Sequence, residues 1–427
     1  MVGLFLCLEN LLYSYANLNS QITPYCMSLS QQVAKQIVEK LKAAGHTALF
    51  AGGWVRDFVL GHHVSRHPSQ DVDIATSAHP KEVMAIFPRS IAVGAQFGVV
   101  RIIVQNIEFE VATFRSDRQY VDGRHPEKVD LLSSPQEDAQ RRDFTINGMF
   151  YDPISEELLD YVGGCSDITH KIIRTIGNPY HRFKEDRLRI IRAIRFKNRF
   201  GFSIDPDTWQ AICEESPHVI EAVSRERIWQ ELQKMQDSSI LAPSLRDMAK
   251  TSLLFSLFPS LENISQESLE NRFRHVDSYT GSSLIAAICL LVQEKREALI
   301  QRFHLSNREK EIIATFSSLE SSSKDEESLV HLFARPDIEI CLQAYSCTTD
   351  DPEQFLRFFI KKQEELSFWV EQLRSNSFLI QGGDLLSLGL QQGKTMGKWL
   401  QRAFLISLQK KITNKKELLD IVKKELP

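Results

Sequence analysis

Asp71-Val72-Asp73-Ile74-Ala75-Thr76 is the stretch on which the reading of this chain turns. Its polar and apolar residues alternate over Asp71–Ala75, the pattern of a half-buried strand. Side chains two apart on a strand share a face, so the carboxylates of Asp71 and Asp73 project together. Two like charges that close repel unless a cation, a shared proton or open water separates them. Magnesium suits the pair because it prefers hard oxygen ligands. Two such ions can activate a hydroxyl and neutralise a triphosphate in phosphoryl transfer. An isolated Asp-x-Asp is also an ordinary solvated strand end, so its meaning depends on its neighbours.

A third acid is expected on an adjacent strand. Glu110 in Glu108-Phe109-Glu110-Val111-Ala112-Thr113-Phe114 is the candidate, and Glu108 shares its face as the alternative. Upstream, Gly52-Gly53 stands before a helix beginning near Trp54. Glycines there let backbone amides approach an anion at a helix N-terminus. Arg56 is within reach of a phosphate, and Asp57 is placed to orient it. Downstream, Arg141-Arg142-Asp143 follows an acidic stretch; the arginines can grip a triphosphate or be solvated, while Asp143 and Asn147 can order the local backbone.

The chain has 427 residues and a formal net charge of -4, enough for several domains and not basic overall. An RNA partner would need a local basic surface. Residues 171–199 supply one, with ten Lys or Arg against Glu185 and Asp186. Within Glu185-Asp186-Arg187-Leu188-Arg189, continuing to Phe196, the residues Leu188, Ile191 and Ile194 face inward. Asp186 and Arg189 lie three apart on one face. Asp accepts hydrogen bonds from base amino groups and Arg donates to ring nitrogens and carbonyls, so a fixed pair can read a base edge. Arg192 and Arg195 extend the basic surface towards phosphates. A solvated amphipathic helix would have the same pattern.

Organisation follows periodicity. Residues 1–26 read as an N-terminal extension, with Met27 as an alternative start. Residues 27–165 mix helices and strands in a mostly antiparallel α+β head. Within it Gly98–Val104 and Ile107–Phe114 are strands joined at Gln105-Asn106, and 117–140 is an exposed loop. Strands then run out. Residues 166–240 form a helical neck, with helices at Phe183–Phe200, Pro206–Glu215 and Arg225–Asp237. Residues 241–370 form a helical body and 371–427 a helical tail. Seven scattered cysteines without Cys-x-x-Cys spacing suggest neither a zinc site nor a disulfide framework and fit a reducing cytoplasm. No apolar run is long enough to span a membrane, and oligomeric state leaves no signature.

Taken in order, these pieces resemble the class II bacterial tRNA nucleotidyltransferases and poly(A) polymerases, the CCA-adding type of the polymerase-β-like nucleotidyltransferase superfamily. The matching segments are residues 51–61, 71–76, 93–102, 109–115, 120–127, 141–149, 185–196 and 224–232. The resemblance implies a head with a five-stranded sheet, then helical neck, body and tail. It implies that Asp71 and Asp73 bind the catalytic magnesium ions. It places Gly52, Gly53 and Arg56 at the nucleotide's phosphates and Arg141, Arg142 and Asp143 in the nucleotide pocket. Asp186 and Arg189 become a protein template for the base of ATP or CTP. The implied reaction is attack by the 3′-hydroxyl of tRNA, or of another RNA, on the α-phosphate.

Three further features bear on the branch. The segment at 282–292 lacks the paired His-Asp of the phosphohydrolase domain that some members carry, and His275 and Asp277 read as surface residues. Ala95-Gln96-Phe97-Gly98 after Gly94 resembles the tRNA-processing group rather than the poly(A)-making relatives. The stretch 118–140 has the full length expected where terminal adenosine is added. Residues 383–400 faintly resemble the family's tRNA-touching tail. Poly(A) synthesis remains the alternative activity.

Overall fold

The computed structural model describes residues 27–61, 72–94, 98–120, 126–131, 134–293, 296–321 and 325–426. The extension 1–26, Asp71 and Ala95-Gln96-Phe97 lie outside them. Two compact units emerge. The first runs to Glu185 and takes in Ser203–Thr208; the second holds Asp186–Phe202 and the chain from Trp209 onward.

In the first unit, α1 (Leu29–Ala43) begins at Ser28, whose hydroxyl and the Gln31 side chain cap each other's backbone amides. Its buried stripe is Val33, Ala34, Ile37, Val38 and Leu41. There follow β1 (Ala48–Ala51), α2 (Gly53–Val59), β2 (Asp73–Thr76), α3 (Pro80–Ile86), β3 (Ser90–Gly94), β4 (Val99–Val104) and β5 (Ile107–Thr113). The β4–β5 turn is made by Gln105 and Asn106 at φ 52° and 62°, the left-handed pair of a tight hairpin. Next come β6 (Arg115–Tyr120), β7 (Pro126–Leu131), α4 (Pro135–Gln140), β8 (Phe150–Asp152) and β9 (Glu157–Leu159). The main sheet has the order β3-β4-β5-β2-β1-β8-β9. Only β2 and β5 pair in parallel; the other neighbours are antiparallel. Five strands were implied by the resemblance; the β8–β9 hairpin extends them to seven. Alternation buries Phe109 and Val111 and exposes Glu108 and Glu110, giving one core face and one face carrying carboxylates.

The expected exposed loop at 117–140 instead contains the β6–β7 ladder and α4. A two-stranded ribbon is held by its backbone ladder, so it leaves no apolar periodicity to read. Strands also persist beyond 166, where Ile172–Ile173 pairs in parallel with Ser203–Ile204.

The long helix expected over Phe183–Phe200 is two helices, α5 (Gly164–Thr169) being followed by α6 (Pro179–Glu185) and α7 (Leu188–Phe200). The break falls at Asp186, whose Oδ1 accepts the Leu188 amide at 3.1 Å. A short acidic side chain there competes with the helix for its own backbone.

The second unit is helical. Leu188, Ile190, Ile191, Ala193 and Ile194 of α7 are all buried, more of its circumference than an amphipathic stripe predicts. Asp247, on the helix Ser238–Lys250, fastens α7 by pairing with Lys197 and accepting from Asn198 at 3.0 Å. Leu284–Leu291 is buried at every position. Asp277 pairs with Arg246 at 2.6 Å, and His275 contacts Gln293 at 3.4 Å. The C-terminal segment has its own small core of Ile380, Leu385, Ala403, Ile406, Ile412, Leu418 and Val422.

Candidate active site

The β1–β2 register sets the first corner. Ala51 pairs with Asp73, so Gly52, the next residue after β1, lies beside the exposed Asp73 at the start of β2. Gly52 has φ +70°, and a methyl group there would sit 2.8 Å from Oδ2 of Asp73 and 3.9 Å from Nη1 of Arg142. Only glycine fits this conformation and this approach without strain. Gly52, Asp73 and Arg142 therefore meet at one corner. Parallel pairing of Ile74 with Val111 puts Asp73 level with Glu110, one residue back on each strand, on the same face. Glu108 lies a further two residues along β5. Arg101 of β4 reaches both, at 3.4 Å from Glu110 and 3.6 Å from Glu108.

The arginines of this unit are held in place. Arg56 is buried; its Nε donates to Asp57 at 2.8 Å and its Nη1 to Oδ1 of Asn147 at 2.8 Å. Asn147 in turn donates to Asp143 at 3.0 Å, and Asp143 accepts the Phe144 amide at 2.8 Å. Asp138, at the centre of the next cluster, is 1% exposed. Its Oδ1 accepts from Nε of Arg141 at 2.8 Å, and its Oδ2 from Nε and Nη2 of Arg142 at 3.1 and 2.9 Å. Burial alone would raise the Asp138 carboxyl, but Arg142 and Arg141 outweigh it and hold it below the usual range. The Arg142 guanidinium also lies over the Phe150 ring at 4.7 Å.

In the second unit Asp186 is gripped by Arg227, with Oδ2 accepting from Nη2 at 2.7 Å and Oδ1 from Nη1 at 3.2 Å. Arg189, one turn on, is buried and donates its amide to the Asp186 carbonyl at 3.1 Å. Arg195 is buried against Glu231 at 2.6 Å, while Arg192 is more exposed and 3.9 Å from the same carboxylate. Burial lowers the Arg195 guanidinium, with Glu231 opposing. Glu231 is itself depressed despite burial, by Arg195 and Arg192.

Asp73, Gly52, Gly53, Arg56, Arg142 and Asp143 thus belong to one connected corner, with Glu110 beside it and Arg141 behind Asp138. Asp186, Arg189, Arg192 and Arg195 belong to α7 and its approach. Sequence reading missed Asp138, Arg101 and Arg227 altogether. The first had a signal, an acid three and four residues before two arginines; the other two depend on strand register and helix packing. Among the described residues no group of three or more His, Cys, Asp or Glu is gathered to hold a metal, and Asp71 is not one of those residues.

Residues 48–174 match the model of the poly A polymerase head domain, and 201–265 that of the probable RNA and SrmB-binding site of polymerase A. The CCA-adding enzyme of Anoxybacillus flavithermus is 33% identical over 390 residues, 90% of this chain and 95% of that protein. The chain belongs to the CCA-adding enzyme family. Its relative from Staphylococcus epidermidis is 32% identical over 377 residues, 86% of this chain and 90% of that one. The Bacillus stearothermophilus CCA-adding enzyme, solved with CTP, superposes with a TM-score of 0.76 at 28% identity, covering 93% of this chain and 98% of that one. The Thermotoga maritima family member complexed with tRNA shares the fold, at TM-score 0.58 and 20% identity. A mixed, mostly antiparallel head followed by helices is therefore the family architecture, as read from the sequence.

Proposed function

We propose that this chain adds AMP and CMP from ATP and CTP to the 3′ end of tRNA, without a nucleic-acid template. The observation that carries the reading is the corner where Gly52 packs on Asp73 beside Arg142, in a chain similar along most of its length to CCA-adding enzymes. The tRNA 3′-hydroxyl oxygen bonds to the α-phosphorus, the α–β bridging bond breaks, and pyrophosphate leaves. Gly52 and Gly53 let the start of α2 approach the phosphates, with Arg56 and Arg142 supplying positive charge. Asp143 completes the nucleotide pocket. Asp186 and Arg189 read the base, and Arg192 and Arg195 add positive potential along α7.

The donor set suits magnesium: Asp73 is an exposed carboxylate so close to Gly52 that a Cβ there would push it aside, and Glu110 stands level with it. Asp71 and Asp73 would hold the metal. Magnesium bound there would stabilise charge on the transferring phosphoryl group and make the attacking hydroxyl more acidic. We extend the reading to the four-part division of head, neck, body and tail, with the tail contacting tRNA. The free thiols of Cys213, Cys289, Cys341 and Cys347 suit a reducing cytoplasm. No helix among the described residues is long and apolar enough to cross a membrane.

The test is incorporation with tRNA lacking its 3′ end and each single nucleotide in turn. One to three added residues confined to C and A support the reading; long A-tails on unstructured RNA would replace it with poly(A) synthesis. In the same assay Asp186→Ala should erode selectivity among the four nucleotides by about tenfold while RNA affinity stays within about twofold.

A further inference from the structure

Asn147 occupies an unusual position among the groups of the first corner. It is 7% exposed, and its carboxamide touches two groups of opposite charge. Oδ1 accepts from Nη1 of Arg56 at 2.8 Å and Nδ2 donates to Oδ1 of Asp143 at 3.0 Å. Its main-chain carbonyl accepts from Nη1 of Arg142 at 3.4 Å. A guanidinium only donates and an ionised carboxylate only accepts. The amide therefore has one orientation that satisfies both ends, and a flip would set donor against donor and acceptor against acceptor. Aspartate, which has the same shape, can serve Arg56 but repels Asp143. Leucine serves neither.

Arg56 comes from α2, whereas Asp143 and Arg142 come from the segment between α4 and β8. Chain connectivity does not fix their spacing. The buried Asn147 amide links them, because it makes both of these bonds only when both partners stand at the right distance.

We infer that Asn147 is a positioning residue that couples Arg56 to Asp143, so that the two act on the incoming nucleotide as one unit. This rests on the reading of the corner as the nucleoside triphosphate site. Removing Asn147 takes away this bridge from Arg56 to the segment that carries Asp143, which keeps the Phe144 amide. Loss of Asn147 should then cost affinity only while Arg56 is present to be positioned.

The test is calorimetric binding of ATP with magnesium and no RNA, so that no turnover occurs. Four full-length chains are compared: wild type, Asn147→Ala, Arg56→Ala and the double variant. Asn147→Ala should weaken ATP about tenfold in the wild-type background and less than twofold in the Arg56→Ala background. Should Asn147→Ala unfold, Asn147→Asp carries the same cycle. It has a signature that general loosening would not give: its deficit shrinks as pH is lowered from about 8 to about 5.5, because two facing carboxylates share a proton and regain the lost donor. Equal losses in both backgrounds, or unchanged ATP affinity in both Asn147 variants, would overturn the coupling. A wild-type chain that binds neither ATP nor CTP would overturn the reading of the site itself.

Discussion

Asp138 in the first unit and Glu231 in the second pose the same electrostatic problem and are used differently. Each is almost fully buried, each receives two arginines, and each carboxyl is held below its ordinary range against the pull of burial. The arginines on Asp138 keep 17–19% of their side chains exposed, and one of them ends beside Gly52 and Asp73. Of those on Glu231, Arg195 is enclosed at 5% and lies on the Phe196 ring at 4.2 Å. The Asp138 cluster presents both of its arginines; in the Glu231 cluster Arg195 braces α7 against the helix Arg225–Gln233, and only Arg192, at 29%, stays exposed. An acid flanked by arginines does not declare which of these it does. The exposure of the arginine tips decides it.

The sharpest separation of chemistry from bracing is at Asp73. Asp73→Ala should lower the rate of nucleotide incorporation at least about a thousandfold, as expected when charge stabilisation at the reacting phosphoryl is lost. RNA affinity in a filter-binding assay and the melting temperature should hold. Incorporation within tenfold of wild type would remove Asp73 from the reacting centre.

Glu231→Ala should do the reverse. It strands Arg195 in a buried position without its partner, which costs on the order of 3–5 kcal/mol of stability. Urea unfolding should show a lower midpoint, and nucleotide affinity measured well below that midpoint should change little. A midpoint shift worth less than about 1 kcal/mol would mean that Arg195 finds water or another partner.

Asp138→Asn comes next. One oxygen still accepts, but the opposing NH2 group repels a guanidinium, and misplaced arginines should lower kcat/KM for ATP by about a hundredfold. A second difference from wild type appears in acid. Asp138 and Glu231 both have folded-state carboxyls below their unfolded values, so the unfolded chain binds the extra protons. Their stabilisation is complete above about pH 4.5 and is lost as pH falls through their depressed folded values. Wild type should therefore lose stability steeply below about pH 4, and Asp138→Asn less steeply. Parallel pH curves for the two proteins would show that the Asp138 charge adds nothing to folding.

Local chemistry was legible in the sequence wherever it depends on spacing. The Gln105-Asn106 turn, the helix Pro206–Glu215 and the pairing of Arg56 with Asp57 all follow from residues within a few positions of one another. What was not legible depends on partners supplied from afar. Arg227 reaches Asp186 across the second unit, and Arg101 meets Glu110 only through the β4–β5 register. The break before α7 was missed although the charged run Lys184 to Arg187 interrupts the apolar spacing between Phe183 and Leu188; the Asp186 carboxylate accepting a backbone amide ends the helix there.

The same register separates two carboxylates that sequence left as alternatives. Glu108 and Glu110 share a face, a strand, an arginine and nearly the same exposure, at 60% and 56% of the side chain. Their ion pairs with Arg101 are exposed and contribute at most about 1 kcal/mol each, so neither Glu→Gln change should move the melting temperature appreciably. Only Glu110 stands level with Asp73; Glu108 is displaced by two residues, about 6–7 Å along the strand. Glu110→Gln should therefore reduce kcat about tenfold with little change in KM, the pattern of a group whose effect is felt only as charge moves, and Glu108→Gln should stay within about twofold. The reverse ranking would place the third carboxylate at Glu108 and require β5 to slide by two residues against β2 when nucleotide binds. Equal and small effects would leave Asp71 and Asp73 as the acids assigned to the reacting centre.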